Sequence, residues 1–330
     1  MIALRAIAIC MLAASSAFAC SVPVFRYALD RWAPDRFRLE VPANSASPQR
    51  LIDSLGPGSV PNLDIIRDAA GVEAKDARLF FPGNDTEPAW TGAVDEAKLR
   101  RLVSSPARQE IAKRITGGDS AVWVIVSGDA AAETVAELDK RLRYLEKAIA
   151  LPKIDPNDPT SKLGPGPALT VKFSSMVIRR DDPAEAEFLP DLLGPRRSKL
   201  PVDEPILVPV FGRGRALGAW PASKMDAEQI SEAMEFLCGA CSCEVKALNP
   251  GWDLLMDSDW DKLLAAYGER DPSVVVKPAS PAEAVIVPIP PAPPAAVEAP
   301  EPAKSPGRTR FAVALGVAVV ILILGFRARR

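Results

Sequence analysis

From Phe311 to Phe326 the chain runs for sixteen residues without a charge, fenced by Arg308 and Arg310 on one side and Arg327, Arg329 and Arg330 on the other. A run that is apolar on every face has no polar side to turn to water, so it reads as a membrane helix and not as part of a soluble fold. At about 1.5 Å per residue it reaches roughly 24 Å, short of a hydrocarbon core of about 30 Å, and snorkelling arginines close the gap. The opposite end carries a second targeting signal. Arg5 supplies a positive n-region, residues 6–14 a short apolar stretch, and Ala17-Phe18-Ala19 a cleavage site before Cys20. Lipidation would use Cys20 as well, but Ala17 stands where lipoproteins carry Leu, so ordinary cleavage after residue 19 is the expectation. Basic residues nearly balance across the apolar run, so the leader sets the orientation: the body is exported and the Arg-Ala-Arg-Arg tail stays in the cytoplasm.

Between body and anchor, ten of the 31 residues over 277–307 are Pro and eight are Ala. Such a tract builds no core and favours extended polyproline conformation, a spacer of up to roughly 90 Å at about 3.1 Å per residue. It precedes an anchor and basic tail over 308–330, so the lipid bilayer is one expected partner, through Phe311 to Phe326. The tail resembles bacterial Pro-Glu-Pro sorting tags, although Pro300-Glu301-Pro302 stands eight residues before the helix, where those tags place it almost adjacent.

Residues 20–276 hold the material for a folded body, in a chain that is 48% hydrophobic and 25% charged. The net charge of −2 gives no footprint for nucleic acid. Histidine is absent, which excludes triads with a His base, H-E-x-x-H zinc sites and His-ligated haem.

The second half of the body is the more legible. Residues 121–126 are the apolar run of a buried strand, and Asp129 should cap a helix carrying Val135, Leu138, Leu142, Leu145 and Ile149 at three- and four-residue spacing. A strand is expected over 168–178. A helix follows from Asp182-Pro183 to about 193, with Pro at its first position and Glu185 at its third. Strands over 205–211 and 215–219 are joined tightly by Gly212-Arg213-Gly214, and Asp226 opens a last helix with Ile230, Met234 and Leu237 on one face. This β-α-β-α-β-β-α order resembles the thioredoxin fold, in which Pro205 would fall near the cis-proline before the hairpin. The resemblance implies a CxxC after the first strand. Ser127-Gly128-Asp129-Ala130 stands there instead, so disulfide exchange is not expected at that place.

The first half reads as a degenerate copy: a helix over 24–32, strand 37–41, helix 49–55, strands near 63–66 and 78–81, and helices within 94–115. The expected fold class is therefore α/β, two tandem thioredoxin-like domains over 20–118 and 119–276, followed by the Pro/Ala-rich linker and one C-terminal transmembrane helix. The segments 22–29 and 236–243 also resemble stretches of uncharacterised bacterial membrane-anchored envelope proteins. With the targeting signals, this places the chain in the bacterial inner membrane as a single-pass protein, its bulk periplasmic or extracellular.

Once Cys10 leaves with the leader, four cysteines remain: Cys20, Cys238, Cys241 and Cys243. An even number in an exported chain points to disulfides, with three possible connectivities. Two other chemistries stay open. The Cys238-x-x-Cys241-x-Cys243 cluster has ligands soft enough for Zn or Cu(I), with Cys20 or Glu244 needed to complete a site, although no cofactor is required. Cys20, leading into a helix N-terminus where thiolate is stabilised, is the candidate redox thiol. Asp257-Ser258-Asp259-Trp260-Asp261 mimics an EF-hand start, but Lys262 and Gly268 occupy the Gly and Glu positions, so an acid-rich helix N-terminus is the better reading. No complete catalytic set emerges. The expected role is non-enzymatic, binding or scaffolding with an envelope protein partner; the rivals are a tethered thiol-disulfide oxidoreductase and metal delivery.

Overall fold

A computed structural model describes residues 21–67, 76–84, 86–128, 131–155, 157–241 and 245–268. The leader, the linker and the apolar run over 311–326 lie outside them, as do Cys20, Asp129 and Cys243. Among the described residues no helix is long and apolar enough to cross a membrane.

The architecture is mixed α/β on two sheets. The first sheet comprises β1 (Phe37–Val41), β2 (Leu63–Arg67), β3 (Ala77–Phe80) and β4 (Pro88–Gly92), in the order β2-β1-β3-β4. β1 runs parallel to β2 and antiparallel to β3, and β3 antiparallel to β4. β1 buries alternate residues, Phe37, Leu39 and Val41, as the two-residue period of a strand requires. Those three pack with Leu51 of α2 (Pro48–Asp53) and with Leu99 and Leu102 of α3 (Glu96–Val103).

The second sheet is built around β5 (Ala121–Ser127), every residue of which is buried. It runs parallel to β6 (Phe173–Arg179) and antiparallel to β7 (Ile206–Phe211), and β7 is antiparallel to β8 (Arg215–Ala216). The order β6-β5-β7-β8 therefore repeats the strand plan and directions of the first sheet. Two short strands extend it: β9 (Trp220–Pro221) on β7 and β10 (Trp252–Asp253) on β8. Alternation along β5 feeds two cores. Ala121, Trp123 and Ile125 face α1 (Val24–Arg31), α5 (Ala132–Ala148) and α7 (Ala227–Cys238). Val122, Val124 and Val126 face α4 (Pro106–Thr116), α6 (Leu189–Leu193) and α8 (Trp260–Ala265). A strand covered on both faces has no polar side to offer, which is why it reads as one unbroken apolar run.

Local chemistry accounts for most element boundaries. Ser47, Asp95, Ser105, Asp226 and Asp259 each cap a helix through a side-chain oxygen. The last of these shows the EF-hand mimic to be a capped helix start. Gly212 (φ 56°) and Gly214 (φ 81°) turn the β7–β8 hairpin in the left-handed region, and a Cβ on Gly212 would stand 2.7 Å from the Ala28 side chain.

Several details differ from the sequence reading, among them the strand expected over 215–219, which is only the two-residue β8. The helix expected from 182 to 193 is a series of turns followed by the single short helix α6, because Pro190 donates no hydrogen bond and Glu185 turns away to cap α4. The strand expected from 168 begins only at Phe173. β4 was not foreseen. The described residues contain no cis peptide, so Pro205 lacks that thioredoxin feature.

Two helices cross between the halves. α1 and α4, both N-terminal to β5, pack on the second sheet and not on the first. Residues 252–257 then join the sheets. Leu254 and Met256 enter the second sheet's core while Leu255, between them, is fully buried in the first sheet's core. Asn62 clasps this strap by donating to the Leu254 carbonyl (3.1 Å) and accepting from the Met256 N–H (2.9 Å).

Candidate functional site

The two described cysteines of the sequence-selected set, Cys238 and Cys241, lie at the end of α7 and just beyond it. Asp226 starts that helix by accepting from the Glu228 and Gln229 N–H groups, and Met234, Leu237 and Cys238 turn inward at three- and four-residue spacing. At Gly239 the backbone leaves the helix in extended conformation, and a Cβ there would stand 2.9 Å from the Glu235 carbonyl oxygen. The chain then forms a short antiparallel ribbon with the residues preceding α1. The Val24 N–H donates to the Gly239 carbonyl (3.0 Å), Pro23 faces Ala240, and the Cys241 N–H donates to the Val22 carbonyl (2.9 Å).

Cys238 and Cys241 are each 1% exposed and belong to the α1–α5–α7 core. Burial pushes the Cys238 thiol up to about 12, so it stays protonated at neutral pH, whereas nucleophiles and metal ligands are thiolates. Among the described residues no three His, Cys, Asp or Glu side chains are grouped to hold a metal ion. Cys20, Cys243 and Glu244 lie outside those residues.

The start of the ribbon is anchored from the side. Ser21 Oγ and Ser161 Oγ lie 2.7 Å apart, and the Ser21 N–H donates to the same Ser161 oxygen. One helical turn further, Arg26 pairs with Asp30 and donates to the Gly164 and Pro167 carbonyls, both at 2.6 Å. The Gly164 N–H returns a bond to Asp30 (2.9 Å). Both side chains are buried, and burial raises the Asp30 carboxyl against the pull of Arg26. This network fixes α1 to the loop that precedes β6.

Beside Cys238 a cleft of about 480 Å³ opens between the C-terminal ends of α5 and α7, lined by Arg141, Tyr144, Leu145, Leu151 and Glu235 among others. Tyr144 is 58% exposed, with the Arg141 guanidinium 4.9 Å above its ring and also donating to Ser231 Oγ. An aromatic face, one cation and one carboxylate suit recognition, and the thiol in the wall, Cys238, is held protonated by burial. The pattern marks Arg141 and Tyr144 only as the solvent side of a helix, so sequence reasoning passes over them.

The end of β5, where a thioredoxin would carry its thiols, has Ser127 fully buried with no hydrogen-bond partner for its hydroxyl, and Gly128 buried beside it. No family model, no curated protein and no solved structure matches this chain.

Proposed function

We propose that this chain is an exported protein of the bacterial envelope, anchored by its C-terminal helix, whose two thioredoxin-like modules act as a binding or scaffold body and not as a catalyst. The repeated 2-1-3-4 strand order, with a parallel first pair and antiparallel third and fourth strands, supports the thioredoxin-like reading of both halves. One observation carries the non-enzymatic reading: the described thiol beside the cleft, Cys238, is core material held in its protonated form, and the end of β5 has no thiol. The cleft beside Tyr144 is the surface this reading assigns to an envelope protein partner.

Cys238 and Cys241 are free, buried thiols, so the structural disulfide that an oxidising compartment favours is assigned in this reading to Cys20 and Cys243. A Cu(I) or Zn site would instead need Cys238 to give up a proton that burial holds in place.

The test uses the full chain purified in mild detergent. Equilibration against glutathione buffers should leave its disulfides oxidised well below the potential range of thiol oxidants. Turnover of a disulfide substrate that disappears with Cys20→Ser would overturn the non-enzymatic reading, and peptide mapping that links Cys20 to another cysteine would overturn the pairing.

A further inference from the structure

The strap over 252–257 is gripped by a buried charge cluster that none of the chemistry above uses. Arg108 of α4 is 2% exposed, lies over the Phe188 ring (4.3 Å) and donates from Nε to the Leu255 carbonyl at 2.6 Å. Asp191 of α6 is 1% exposed and accepts the Leu255 N–H at 2.9 Å through Oδ2. Both backbone polar groups of the one leucine that enters the other core therefore end on this pair. The two side chains face each other only loosely, Arg108 Nη2 standing 3.6 Å from Asp191 Oδ2.

Further charges surround the pair. Glu185 and Glu187, from the turns before α6, face Arg108 as well. Glu185 caps α4 at the Ala107 N–H (2.8 Å), and Glu187 meets Lys98 of α3, with Arg101 3.9 Å away. On the strap, Asp253 adds a further negative charge towards Asp191, although Arg215 and Lys246 hold it. Three buried carboxylates thus share one fully buried guanidinium, while the partly exposed Lys98 and Arg101 answer Glu187 from the outer side. Arg108 Nη2, Asp191 Oδ1, Glu185 Oε2 and Glu187 Oε2 are all buried without a hydrogen-bond partner. Asp191, fully buried and with the Arg108 guanidinium only loosely facing it, takes up a proton more readily than it stays charged.

We propose that the Arg108–Asp191 pair is a proton-operated latch on the strap, holding Leu255 with Asp191 protonated and loosening the seam between the two sheets when that proton leaves. Oδ2 is committed to the Leu255 N–H, so the proton sits on Oδ1. Burial is the main cause that pushes Asp191 from 3.8 to about 7, Asp253 adds to it, and Arg108 and the Leu255 N–H oppose it. The sign follows. The folded chain binds this proton in a range where the unfolded chain has released it, so stability is lost as pH rises from about 4 to about 7 and levels off above that. One proton corresponds to a tenfold rise in the unfolding equilibrium constant for each pH unit. The latch does not depend on the compartment or on any binding role.

The experiment compares denaturant unfolding of the full chain in detergent with that of Asp191→Asn, which keeps the acceptor and removes the charge, and of the exposed Asp181→Asn as control. Between pH 5 and 7 the ratio of the unfolding constants of wild type and Asp191→Asn should rise about tenfold per unit, while the Asp181→Asn ratio does not. A ratio that is flat from pH 5 to 8 overturns the proposal. Should Asp191→Asn fail to fold, hydrogen exchange at the Leu255 amide in the unsubstituted chain decides. Corrected for intrinsic rate, its protection should fall from pH 5.5 to 8, and unchanged protection overturns the latch.

Discussion

Leu255→Ala tests the idea that one residue of the strap completes the core of the first sheet. Leu255 is fully buried among β1, β3 and α3, although it is separated from β1 by more than 200 residues of chain. Truncation removes three carbon atoms; at about 0.8 kcal/mol per buried methylene the transfer loss is about 2.4 kcal/mol. The backbone of Leu255 is pinned by Arg108 and Asp191, so the walls collapse little and a cavity contribution follows, for a total of about 3–4 kcal/mol. For a body of this size that lowers Tm by about 6–15 °C. Leu263→Ala is the matched control, because Leu263 is 41% exposed and should cost under about 0.5 kcal/mol. The assay is thermal unfolding of the full chain in detergent, followed by tryptophan fluorescence. A Leu255→Ala shift no larger than that of Leu263→Ala would show that the strap does not seal the first core.

Two other outcomes are expected. Replacing Arg26 by Ala leaves Asp30 buried without its cation and frees the Gly164 and Pro167 carbonyls; it should cost about 3–5 kcal/mol and open the 157–167 loop to limited proteolysis. Asp30→Asn in the same chain should restore part of the resistance, and an Arg26→Ala chain as resistant as wild type would refute the docking role. Alkylation of the native chain at pH 8 should leave Cys238 unmodified until denaturant is added, as its burial and its thiol value of about 12 require; modification at the rate of an exposed thiol would refute its placement in the core.

Much of the secondary structure was legible because its signals are local. Apolar spacing and the Asp226 cap place α7, and the run over β5 announces a strand buried on both faces. Signals that depend on distant partners were not. The Pro-Ala-Trp-Thr-Gly of β4 has no strand alternation of its own, and its pairing with β3 makes it a strand. The apolar face of α1 shows that the helix packs, but not that it packs on the far sheet. At the candidate site, the clustering of cysteines marked the end of α7, whereas the cleft depends on how α5 and α7 approach each other. The Arg108–Asp191 pair had one faint sign: Arg108 shares its helix face with Ile111 and Ile115, an unusual place for a charge unless something buried answers it.

The strap also sets an order of assembly. The first sheet is synthesised before the second, yet its core lacks Leu255, and its Asn62 lacks the Leu254 and Met256 backbone groups, until nearly the whole body has emerged. The opening segment is in the same position, since Val22 and Val24 wait for Gly239 and Cys241. As the chain is made, the N-terminal half therefore stays unfinished, its apolar surface open to chaperones or to its neighbours, and it closes only when the last strand of the body arrives.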